Sequence, residues 1–78
     1  MPRYYFDLHN DMEVVDEEGR EFPGPDAAKA DTIRSARELL AEDVMGGRIK
    51  LSHRIEVRDQ AGVQLFAIHF RDVLSIDP

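Results

Sequence analysis

The residues that could do chemistry cluster first near the N-terminus. Asp7, His9 and Asp11 stand at i, i+2 and i+4. On a straight strand that spacing sets an imidazole between two carboxylates on one face, the makings of a hard-metal or acid/base cluster. Asn10-Asp11 is also a turn dipeptide, so Asp11 is expected to bend away and leave a solvated hairpin end. His53 and His69 form a second candidate pair on strands joined by a short turn. A register in which paired residue numbers sum to 122 would set the two imidazoles opposite each other, placed to share a metal or to respond to pH. The expected register sums to 121. It sets Ile55 against Phe66, His53 against Ile68 and Leu51 against Phe70, gathers the large apolar groups on one side, and sends the two histidines to opposite faces. A bulge at Gly62 would move it by one.

Charged runs supply two further candidates. Arg48, Lys50, Arg54 and Arg58, offset by Glu56, give residues 48–58 a net +3, and with Tyr5 on the same sheet face they could neutralise and stack a single strand of nucleic acid. The acidic run Asp11, Glu13, Asp16, Glu17, Glu18, Glu21 and Asp26 suits a basic partner, but it lacks the alternating ligand positions and closing Glu of a calcium loop. Gly46-Gly47 follows a helix instead of preceding one, so it cannot hold a phosphate at a helix N-terminus. Ser35, Ser52 and Ser75 have no base at a usable spacing. No catalytic residue, metal ligand or cofactor is assigned.

The whole chain bounds these options. Its 78 residues make a single domain, 1–78, with a small core, and it has no Cys with which to build a disulfide framework, a thiolate metal site or a Cys nucleophile. A reducing, cytoplasmic setting is expected. No apolar run reaches the roughly 20 residues of a membrane span, and Asp7 interrupts the N-terminus too early for a signal peptide. Residues 1–26 carry eight acids and two arginines, so the whole formal charge of −6 sits there, while residues 27–78 are balanced. That field repels nucleic acid and favours basic partners.

The elements that must position these residues follow from periodicity. Tyr4, Phe6 and Leu8 alternate with Tyr5, Asp7 and His9 in a strand expected over Arg3–His9, and Met12–Val15 returns as a short hairpin partner. Asp16-Glu17-Glu18-Gly19 reads as a turn with Gly at the positive-φ position, after which Phe22 anchors the loop to the core. Pro23-Gly24-Pro25-Asp26 opens a helix from near Pro25 to Met45. Its apolar stripe is expected to be Ile33, Ala36, Leu40 and Val44, widened by Ala30 and Leu39, with a glycine cap at Gly46-Gly47. Leu51–Arg58 and Val63–Phe70 form a second hairpin around Asp59-Gln60-Ala61-Gly62. The tail Val73-Leu74-Ser75-Ile76 is apolar enough to dock. The fold expected is α+β, in the order ββαββ, with a four-stranded antiparallel sheet and one amphipathic helix packed on one face.

The opening Met1-Pro2-Arg3-Tyr4-Tyr5-Phe6, the turn Asp16-Glu17-Glu18-Gly19 with Glu21, the helix segment Arg34–Asp43, the strand Ile55-Glu56-Val57 and the ending Phe70-Arg71-Asp72 together resemble a family of short alphaproteobacterial proteins classified as a domain of unknown function. The resemblance implies a bacterial cytosolic domain with no assigned activity, and it transfers no site residue. The functional expectation is a non-catalytic protein-interaction or regulatory module that self-associates as a homodimer. Its interface candidates are Tyr5, Arg54, Arg58, Leu65, Ala67 and His69 on the open sheet face. The alternative is a small-ligand or metal-binding domain of weak enzymatic potential, using Asp7, His9 and His69 around a shallow site. Single-stranded nucleic-acid binding ranks third.

Overall fold

In the computed structural model, which describes residues 1–78, the chain forms β1 (Arg3–His9), β2 (Glu13–Val14), β3 (Arg20–Glu21), α1 (Pro25–Met45), β4 (Arg54–Arg58) and β5 (Gln64–His69), closed by a 3-10 turn at Phe70–Asp72. The sheet is antiparallel, in the order β2-β1-β4-β5, with β3 also paired to β1. It therefore has five strands, not the four expected. β2 and β3 share one edge of β1: Leu8 and His9 pair with Val14 and Glu13, while Arg3 and Tyr4 pair with Glu21 and Arg20. A two-residue strand has no periodicity to read, so the register of β1 alone reveals β3. Phe22, next in the chain, is half-buried and meets Phe6 edge-on at 5.9 Å between ring centres.

β1 runs its whole expected length, but the other strands are trimmed at their ends. The β4–β5 register is also not the expected one. Arg54, Ile55, Glu56 and Val57 pair with His69, Ile68, Ala67 and Phe66, a sum of 123, and a bulge then sets Arg58 opposite Gln64. The cause lies in the turn. Asp59 Oδ1 accepts from the N–H groups of Ala61 at 2.9 Å and Val63 at 3.0 Å, the Asp59 N–H donates to the Val63 carbonyl, and Gly62 takes φ +85°. Asp59 and Val63 thus close the hairpin, and the extra residue, Leu65, is absorbed in β5 rather than at Gly62. A shift of two keeps every side chain on its expected face, so Ile55, Val57, Phe66 and Ile68 still point together. His53 and His69 lie on opposite faces; the facing pair does not form.

α1 has the expected bounds. Asp43 and Val44 carbonyls accept from the N–H groups of Arg48 and Gly47, with Gly47 at φ +83°, which is a Schellman ending with the second glycine left-handed. The buried stripe differs from the one read by periodicity. It runs through Ala28, Thr32, Ala36 and Leu40, with Ile33 half-buried beside it, while Ala30 and Leu39 are exposed and Val44 is 55% exposed. Small residues four apart let the helix backbone approach the sheet, and Thr32 tolerates burial because its hydroxyl donates to the Ala28 carbonyl at 2.7 Å. Tyr4, Ile55, Val57, Ile68 and Phe70 complete the core with Val73. The tail docks through Val73, whose carbonyl accepts from Arg37 Nε at 2.7 Å, and leaves Ile76 exposed.

Candidate interaction surface

Alternation along three strands brings the sequence-derived candidates onto the sheet face away from α1. Tyr5 is opposite Arg58, Asp7 opposite Glu56 and His9 opposite Arg54; Ala67 and His69 follow on β5 against Glu56 and Arg54. Leu65, 41% exposed, sits at the bulge. Two carboxylates facing each other across strands repel. Here each has its own cation: Arg58 Nε donates to Asp7 Oδ2 at 2.9 Å and Arg54 Nε donates to Glu56 Oε2 at 3.2 Å. The Arg58 guanidinium also lies 4.6 Å from the Tyr5 ring centre. His9 Nε2 is 2.7 Å from Glu56 Oε1 and 3.8 Å from Glu13 Oε1, without the alignment of a hydrogen bond. The centre of the face is thus a set of paired charges.

Asp16 holds this arrangement to the neighbouring loop. Its carboxylate accepts from the N–H groups of Phe6, Glu18 and Gly19, each at 3.1 Å, and so fills the gap on the β1 edge between β2 and β3. The Asp16 N–H donates to Asp7 Oδ1 at 2.9 Å, and Arg58 Nη2 donates to the Asp16 carbonyl at 2.8 Å. Burial alone would raise the Asp16 carboxyl, but the three backbone donors outweigh it and hold it below the ordinary 3.8. Gly19 is at φ +70°, and a Cβ there would lie 2.8 Å from the Tyr4 carbonyl oxygen. This Asp-x-x-Gly buckle was legible as a turn. Its link through Asp7 to Arg58 was not, because those residues are 51 positions apart.

The Asp7, His9 and Asp11 cluster does not assemble. Asp7 is engaged by Arg58, and Asp11 turns away to Lys50 Nζ at 2.5 Å, a contact that lowers its carboxyl chiefly by hydrogen bonding and then by charge. No three His, Asp or Glu side chains converge as a metal-ligand set. The basic segment divides: Arg48 and Lys50 line a cleft of about 300 Å³ at the end of α1 with Glu42, Asp43, Gly46 and His53, whereas Arg54 and Arg58 lie on the open face, already paired. The His53 ring packs edge-on against Phe70 at 5.7 Å, with its Nε2 buried and unpartnered.

The two sheet edges contrast. On one side the edge of β1 is covered by β2, β3 and Asp16, within a stretch carrying Asp11, Glu13, Glu17, Glu18 and Glu21. On the other, β5 has β4 as its single neighbour, and Gln64-Leu65-Phe66-Ala67-Ile68-His69 has no acid, Lys, Arg, Pro or Gly. The Phe70 N–H points inward to the His53 carbonyl at 2.9 Å. Antiparallel alternation then points the Ala67 and His69 backbone groups outward, free to pair.

The family described as a domain of unknown function (DUF6894) matches residues 3–71. The chain belongs to that family. No curated protein and no solved structure matches it. In this DUF6894 domain several of the family-like segments hold the fold together. Asp16 and Gly19 build the buckle, Arg37 ties α1 to the tail, and Phe70 is one of the largest fully buried side chains. No helix of the domain is long and apolar enough to cross a membrane.

Proposed function

We propose that this DUF6894 domain is a non-catalytic, cytoplasmic protein-interaction module of a bacterial cell, and that it takes its partner by strand addition at β5. The observation that carries the reading is the six-residue uncharged edge strand with outward backbone groups at Ala67 and His69. Natural edge strands of this length are usually blunted by Lys, Pro or a covering segment, and a row of free N–H and C=O groups is a template for another strand. Leu65 and His69 on β5 would then flank the added strand, with Arg54 and Arg58 one strand further in on β4 and Tyr5 beyond them on β1. Catalysis has less support, since the carboxylates Asp7 and Glu56 at the centre of the open face are occupied by arginines. Single-stranded nucleic acid is disfavoured for the same reason: Arg54 and Arg58 are already neutralised.

The test is Ala67→Pro. The Ala67 N–H does not serve the β4–β5 ladder, and Pro is tolerated on an edge strand where its N–H side faces solvent. Tagged wild-type domain in native extract should retain a stoichiometric protein, and the Ala67→Pro variant, folded by circular dichroism, should lose it. Equal capture by both would refute strand addition.

A further inference from the structure

We infer that the strand added at β5 is β5 of a second copy of this chain, in an antiparallel pair around a two-fold axis at Ala67. This deepens the strand-addition reading and rests on it. Charge selects the edge. Two copies each carrying −6 repel, and the excess lies in residues 1–26, along the opposite edge. β5 has no charged residue, and the arginines behind it on β4 are matched by Glu56 and Asp7. Approach through β5 therefore keeps the acidic stretches furthest apart.

Side-chain size fits the axis as well. A perpendicular two-fold axis sets one residue against its own copy, and Ala67, the smallest in the strand, brings its outward N–H and C=O to those of its mate. With that residue on the axis, Leu65 faces His69 of the other copy on the open face, and Phe66 faces Ile68 on the helix face. Leu65 and His69 are exposed, and Phe66 is half-buried, so each gains cover. The result is one continuous sheet of two domains, with both helices on the same side.

The chain has no Cys, so a single Ala67→Cys substitution reports the axis directly. Cα atoms of a hydrogen-bonded antiparallel pair lie about 5.5 Å apart, within the span a disulfide bridges. The wild-type chain at about 200 µM should show twice the monomer mass by light scattering, an outcome that Leu65→Lys and Ala67→Pro should abolish at concentrations where both remain folded. Ala67→Cys should cross-link to a dimer under mild oxidation far faster than a Gln60→Cys control. A monomer that fails to cross-link overturns the homodimer. If that monomer still loses a different captured protein on Ala67→Pro, strand addition survives with another partner. A dimer indifferent to both β5 substitutions overturns the β5 homodimer, and equal capture of other proteins by wild type and Ala67→Pro overturns strand addition itself.

Discussion

Asp16→Ala tests how the open face is held. The side chain accepts three backbone N–H bonds at 3.1 Å. Hydrogen bonds to a charged group each contribute about 1.5–3 kcal/mol net, and a buried N–H left unpaired costs about 1–3 kcal/mol. Glu18 is exposed, so its N–H returns to water, whereas Phe6 and Gly19 are half-buried and recover only part of their solvation. Counting the two half-buried N–H groups at about 1–2 kcal/mol each, the expected loss is about 2–4 kcal/mol, a large share of the total for a chain of this size, which corresponds to a fall in Tm of about 8–30 °C. Urea unfolding followed by circular dichroism measures it. Asp16→Asn should lose less, because one oxygen stays an acceptor while the new NH₂ group faces an N–H. The sign with pH is fixed by the lowered carboxyl. A depressed folded pKa contributes stability that is complete above the unfolded value near 3.8 and is lost as pH falls through the lower folded value. The gap between wild type and Asp16→Ala should thus stay constant above about pH 5 and close below that range. A loss under about 0.5 kcal/mol, or a gap closing between about pH 5 and 7, would refute the buckle as described.

Three other expectations are quickly checked. Gly19→Ala and Gly62→Ala both place a side chain at positive φ, at about 1–2 kcal/mol of strain, but a Cβ at Gly19 also strikes the Tyr4 carbonyl oxygen at 2.8 Å while nothing lies within 4 Å at Gly62; parallel urea curves should show Gly19→Ala clearly the worse. Phe70→Ala empties one of the largest fully buried positions at about 3–5 kcal/mol, enough to leave much of the chain unfolded at 37 °C by calorimetry. Carboxyl titration by NMR should find Asp11 and Asp16 both below 3.8; in 1 M salt Asp11 should move back towards the ordinary value, because its exposed Lys50 partner is screened, and Asp16 should hold, because backbone donors lower it.

Most of the secondary structure and the division of faces were legible in the sequence because they rest on local periodicity. Strand β1 and helix α1 keep their expected bounds, and Tyr5, Arg54, Arg58, Ala67 and His69 lie on the face that alternation assigns them. Proline, glycine and aspartate marked the turns through their own backbone preferences. Register, the helix stripe and the charge partners belong to the tertiary structure. The Asp59 turn and the bulge at Leu65 moved the β4–β5 pairing by two, a shift that periodicity cannot detect because it preserves parity. Thr32 joined the buried stripe while Val44 left it, since close approach to the sheet selected small residues four apart over the larger apolar ones. Asp7 read as a possible catalytic carboxylate until the fold brought Arg58 and the Asp16 N–H to its two oxygens. Each of these depends on a contact between distant parts of the chain, which spacing along the sequence does not encode.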